Sequence, residues 1–151
     1  MIVTKTVTGT EPVSLADMKE YLRVFHTTED DLITDLITNA RKLLETATNL
    51  SLVETTIELK AAIHDSFPLP YGPVGTITSI TIDDDDVSDD VEVGVVTGTG
   101  TLEAEYEAGP YECDMVVKDL VAFLYMNRGG GEWPATVKLW IQNNTQNVWL
   151  Q

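Results

Sequence analysis

The side chains with the most chemical potential stand together in residues 83–90, where Asp83, Asp84, Asp85, Asp86, Asp89 and Asp90 surround Val87 and Ser88. Clustered carboxylates are hard oxygen ligands and can hold Ca²⁺. The EF-hand spacing is absent, because Ser88 rather than glycine occupies the sixth position and no glutamate closes the run. A solvated hairpin tip explains the same residues with no ligand at all. His26 and His64 fall in different elements and in no HExxH-like set. Cys113 is the single cysteine, so no intrachain disulfide can form, and it has no Cys/His partners for a metal. It is expected to pack as a small hydrophobe at a helix start. Gly129-Gly130-Gly131 lacks the Lys-Ser/Thr of a phosphate loop, and no nucleophile elbow or dinucleotide fingerprint occurs. Ser14 reads as a helix cap. The expectation is therefore no catalytic residue, no metal, no cofactor and no enzyme.

Charge narrows the partners. Nine Lys and Arg against 25 Asp and Glu leave a net charge of −16. A site that grips phosphate backbone needs cations, and so does a surface that binds anionic membrane. The excess serves solubility or a halophilic surface bias. It equally suits a wall past which DNA must slide without sticking. The length of 151 residues fits one domain with a proper core, and 43% hydrophobic with 23% charged residues is ordinary globular composition. The first residues lack a basic segment followed by an apolar core, so no signal peptide is expected, and no apolar run approaches membrane-spanning length.

The elements follow from periodicity. Residues 1–10 read as a short strand or extended arm. Ser14 with Asp17 three positions on is a capping-box-like start, and Leu15, Met18 and Leu22 repeat at helical spacing over 14–23. Thr27 or Thr28 caps a second helix over 28–49, whose first turn holds Glu29, Asp30 and Asp31. Leu32, Ile33, Leu36, Ile37, Ala40, Leu43, Leu44 and Ala47 give it an apolar stripe. Thr55, Ile57, Leu59, Ala61 and Ile63 alternate as a half-buried strand. Pro68, Pro70, Gly72 and Pro73 break it. Residues 74–82 read as a strand, and the spacing Ile77, Ile80, Ile82 is out of phase, which signals a bulge or burial on both faces. Strands are expected at 91–96 and 102–108, and a largely apolar helix opening at Glu112 or Asp114 and ending at Gly129-Gly130-Gly131. The order predicts an α+β fold: a helical body of two N-terminal helices and one late helix, an inserted antiparallel β region, and an extended C-terminal arm. The expected division is 1–128 for the α+β domain and 129–151 for a glycine-hinged arm.

The run from Glu11-Pro12-Val13-Ser14-Leu15 to Asn49-Leu50 also resembles the amino-terminal half of phage head–tail connector (adaptor, head-completion) proteins. The matching residues are Pro12, Val13, Ser14 and Leu15, then Lys19, Leu22, Arg23 and Val24, then Asp31, Leu32 and Ile33, then Ala40, Arg41 and Glu45. Pro73-Val74 with Ile77 and Ile80, and Ala108-Gly109 before the last helix, continue the resemblance over about residues 11–128. What the resemblance implies is a structural protein of the virion neck, between capsid portal and tail and assembled in the host cytoplasm. It implies a ring of copies, a dodecamer, that extends the DNA channel and docks the tail. Its partners would be itself, the portal protein and the next neck or tail-side protein, with DNA passing without specific binding and no membrane. The alternatives are another neck or tail-completion protein, or an acidic divalent-cation-binding β-rich module centred on 83–90.

The segment after the glycines holds Trp133, Trp140 and Trp149, all the tryptophans of the chain, among Gln and Asn. It reads as a final element folded back on the core or as an arm anchored on a neighbour by tryptophan. In the second reading, removal of 132–151 leaves a folded monomer that cannot assemble onto portal-bearing heads. Arg23, Arg41 and Arg128 are scarce cations on an acidic chain. They either pair locally, for little gain at an exposed surface, or meet an acidic patch on the next copy. The candidate partner surface is thus Trp133, Trp140, Trp149, Arg23, Arg41 and Arg128, and the acidic run is a candidate lumen- or partner-facing loop.

Overall fold

The computed structural model describes residues 1–92, 94–128 and 130–145. In chain order the elements are β1 (Ile2–Val7), α1 (Leu15–Leu22), α2 (Asp30–Thr48), β2 (Thr55–Ile63), β3 (Ser66–Pro68), β4 (Val74–Ile82), β5 (Asp85–Asp86), β6 (Val95–Thr97), β7 (Gly100–Ala108), α3 (Asp114–Asn127) and α4 (Ala135–Asn144). This is an α+β fold. Its described residues divide into a β unit, Met1–Thr10 with Asn49–Tyr111, and a helical unit, Glu11–Thr48 with Glu112–Thr145.

The β unit is built on alternation. β2 buries Thr55, Ile57, Leu59, Ala61 and Ile63, and its antiparallel neighbour β7 buries Leu102, Ala104, Tyr106 and Ala108. These side chains form one face of a five-stranded sheet in the order β1-β2-β7-β4-β5. β4 pairs with β7 through register shifts between Val74 and Ile77 and between Ile77 and Ser79. Those bulges account for the broken isoleucine phase in the sequence. β3 and β6 form a separate two-stranded sheet, and Phe67 and Val96 bring it to the same apolar core. The strand expected over 91–96 is a single bridge from Glu92 to Val95 followed by β6, and Val93 lies outside the described residues. Tyr106 is fully buried, and its hydroxyl donates to the Pro70 carbonyl, which fixes the proline-rich stretch to the sheet. Burial and the nearby Tyr71 raise its pKa above the ordinary tyrosine value.

The helical unit begins as the cap chemistry dictates. The Ser14 hydroxyl oxygen accepts the Asp17 N–H at 3.1 Å and donates to the Asp17 carboxylate at 2.7 Å. α1 ends where Arg23 turns left-handed, φ 57°, with its N–H on the Glu20 carbonyl. α2 buries Ile33, Ile37, Ala40 and Leu44, a helical stripe in which each large side chain contributes about 2 kcal/mol by leaving water. α3 buries Val116, Val117, Leu120 and Val121 and ends at a left-handed Arg128, φ 43°. Among the described residues no helix is long and apolar enough to cross a membrane.

The C-terminal segment departs from the expected extended arm. α4 is a helix whose Val137 is fully buried in the helical unit, and the Thr136 hydroxyl donates to Asp119 of α3 at 2.9 Å. Val137, Trp140 and Ile141 recur at helical spacing, and that burial favours a docked helix over a free chain. Gly129, part of the expected hinge, and residues 146–151 lie outside the described residues.

Candidate functional site

Arg41 is the most constrained of the candidate cations. Only 4% exposed, it donates from Nε to Glu11 at 2.8 Å, from one terminal nitrogen to Glu11 at 3.2 Å and from the other to Glu45 at 2.9 Å. Thr38 adds its hydroxyl to the same Glu11 carboxylate at 2.9 Å. Burial works against the guanidinium charge, but the bonds to Glu11 and the fields of Glu45 and Glu11 outweigh it, and the pKa rises above the arginine value. Of the two readings of Arg41, local pairing is the one the geometry displays: all three nitrogens serve an internal clamp that ties the segment before α1 to α2. Glu11, which completes the clamp, was not singled out in the sequence, because its partner is thirty positions away.

Arg23 and Arg128 are exposed, each at the left-handed end of a helix. Arg23 adjoins the turn between α1 and α2, where Phe25 is 88% exposed. The turn is fixed by the Val24 N–H on the Lys19 carbonyl at 2.9 Å and by the Lys19–Asp30 ion pair. Arg128 stands at a groove of about 590 Å³ between α2 and α3, floored by Leu32, Leu36, Leu124 and Met126. At its rim the Tyr125 hydroxyl donates to Glu29 at 2.6 Å, and the accepting carboxylate raises the tyrosine pKa. Periodicity placed Leu32 and Leu36 in the buried stripe, but Leu32 is 47% exposed, and α2 carries a second apolar edge beside its core face.

Trp133 is half-buried just before α4, and Trp140 is half-buried within it; Trp149 lies outside the described residues. The structure thus holds Trp133 and Trp140 in the helical unit with Arg23, Arg41 and Arg128, whereas the acidic run belongs to the β unit.

The acidic run is a hairpin tip. Asp83 and Asp84 both have positive φ, 49° and 73°, as a two-residue primed turn requires, and β5 returns against the end of β4. The Asp83 carboxylate accepts the Thr101 N–H at 2.8 Å, and that of Asp86 accepts the Ser88 N–H at 2.9 Å. The Ser88 backbone and then its hydroxyl hold the Asp86 pKa below the usual carboxylate value. Asp83, Asp84, Asp85, Asp86, Asp89 and Asp90 are all exposed, the last two in a 3₁₀ turn, Ser88–Asp90. Among the described residues no three His, Cys, Asp or Glu side chains are disposed to hold a metal ion. His26 sits 3.5 Å from Glu29, and His64 is exposed in the β unit. Cys113 caps α3 and is 4% exposed, and burial first, with Asp114, Glu45 and Glu11 behind it, pushes its thiol up to about 12.

The sequence profile of the family described as "Head completion protein" matches residues 11–139. No curated protein sequence matches the chain. Solved structures do. A chain in the neck of an empty gene transfer agent (GTA) particle, computed with C6 symmetry, superposes with a TM-score of 0.74 at 19% identity, covering 97% of this chain and 96% of that one. A chain of the native GTA virion gives 0.73 at 17%, and one in the native neck, computed with C12 symmetry, gives 0.64 at 17%, with the same coverage. At these identities the likeness is one of fold.

Proposed function

The chain belongs to the head completion protein family, and on that premise we propose how it acts as a structural head–tail connector of a tailed phage or phage-like particle. Its place is the virion neck. Copies assemble into a ring, a dodecamer, beneath the portal protein, extend the DNA channel and present a surface to the next tail-side protein. The work is assembly rather than turnover.

The observation that carries this reading is the family match across residues 11–139, which spans α1 to α3, the strands β2 to β7 and the start of α4. The fold likeness to neck chains, over nearly the whole length of both partners, supports the same place in the particle. A net charge of −16 suits a wall that DNA passes without binding. The exposed acidic hairpin tip is proposed to face the lumen or a neighbouring component, and the segment 132–151, with Trp133, Trp140 and Trp149, to contact the portal or the adjacent subunit.

Complementation tests this. Particles made without the gene should accumulate as DNA-filled heads and separate tails, and the purified chain added to them should restore joining. Joined particles formed in its absence would contradict the reading.

A further inference from the structure

The helical unit leaves two apolar surfaces open, on opposite sides of α2. The first lies beside α1, where Leu15, Val24 and Phe25 border a shallow depression of about 680 Å³ that reaches Asp30. The second is the groove of about 590 Å³ floored by Leu32, Leu36, Leu124 and Met126. At 3.6 residues per turn, Asp30 and Leu32 point about 160° apart around α2, while Leu36 lies only about 40° from Leu32. The helical unit is therefore two-faced, with an aromatic knob on one side and a trough on the other.

A ring closes through a heterologous contact, which requires two unlike, complementary patches on opposing sides of each copy. Resting on the ring reading above, we infer that Phe25 of one copy seats in the α2–α3 groove of the next, beneath Arg128. Phe25 is 88% exposed yet held on a turn pinned by the Lys19–Asp30 pair, so little conformational freedom remains to be lost on docking. A large rigid aromatic entering a lined pocket is the usual anchor of an interface. An Arg128 guanidinium over its ring adds a cation–π contact.

Charge favours a second copy as the occupant. No described side chain bonds the Arg23 guanidinium, two positions before Phe25. Glu29 lines the groove itself, and Asp31 and Asp35 are exposed on the same helix outside it. Seating Phe25 brings Arg23 of one copy toward the acidic α2 of the next, where Glu29 lines the groove. This local attraction offsets part of the repulsion between subunits that each carry −16.

The test uses the full chain with F25C and M126C introduced together, crosslinked by a short bismaleimide at pH 7, both as assembled rings and in purified particles. Cys113 is buried and serves as an internal control. The double variant should give a ladder extending beyond the dimer, and each single variant at most a dimer. In parallel F25S, which should keep the wild-type circular dichroism spectrum because Phe25 is 88% exposed, should need about tenfold more protein to assemble. Rings visible by electron microscopy without the ladder would place the contact elsewhere and overturn this inference while leaving the ring intact. A ladder with unchanged F25S assembly would overturn Phe25 as the anchor. A wild-type chain that forms no ring, free or in the neck, would remove the ring reading and this inference with it.

Discussion

At the scale of single residues, the resemblance-bearing positions acquire physical causes. Arg41 and Glu45 of the long helix close on Glu11, just before Pro12, so two stretches that look separate in sequence form one buried clamp. Arg41→Ala strands Glu11 and Glu45 without their counter-charge, and should lower unfolding free energy by about 3 kcal/mol in urea titration. Gly109 has φ +80°, and a β-carbon there would meet the Ser51 and Val53 carbonyl oxygens at 2.6 Å. Gly109→Ala should therefore cost about 2 kcal/mol or more by the same measurement, through both the strained backbone and the clash. Cys113, with its thiol pushed up to about 12, should resist a thiol reagent at pH 8 in the native protein and react at once in denaturant. The sign for stability follows. The unfolded chain loses this proton near the ordinary cysteine value while the folded chain keeps it. Stability is therefore fully present below about pH 8.5 and falls as pH rises toward 12. A thermal midpoint that stayed flat from pH 8 to 11 would show that Cys113 ionises freely in the fold.

At the scale of elements, α4 changes what a truncation means. Removal of residues 132–151 takes away Val137, which is fully buried, and Thr136, which bonds Asp119, so the core of the helical unit is opened. That deletion should lower the melting temperature by several degrees as well as impair joining to heads. An unchanged melting curve would show that α4 adds nothing to the fold. The same helix shows where sequence reading runs short. α1, α2, β2 and β7 were legible because a cap, a 3.6-residue stripe or a strict alternation marked them. The β4 bulge was legible as a break in phase. α4 was read as an arm because Gln and Asn dilute its short stripe of Val137, Trp140 and Ile141. β3 is three residues long and pairs with β6 across a long separation, leaving no local pattern to find, and β6 was read only as the end of a longer strand. Of the candidate site residues, Arg23 and Arg128 are exposed, whereas Arg41 pairs locally, the first of the two sequence readings, with a partner that charge alone does not reveal.

At the scale of the whole molecule, the chain is strongly acidic, and exposed apolar side chains stand on both units: Phe25, Leu32, Met115, Met126 and Leu139 on the helical unit, and Met1, Ile2 and Val7 on the β unit. Scattered singly such side chains are ordinary; those that line one groove, as Leu32 and Met126 do, mark a surface for a partner. The β unit also displays carboxylates, among them the aspartates of the hairpin tip and the Glu58–Glu105 pair facing across β2 and β7. Like charges opposite one another weaken a sheet, so their presence is better explained by a requirement outside folding. A neck ring through which DNA passes supplies that requirement: apolar contact between subunits and a surface that does not hold phosphate. The most direct test is cryo-EM of intact particles, with the neck reconstructed without imposed symmetry. The account predicts a ring of this chain between portal and tail, with the helical unit at the subunit contacts. A well-resolved neck that lacks the chain would contradict it.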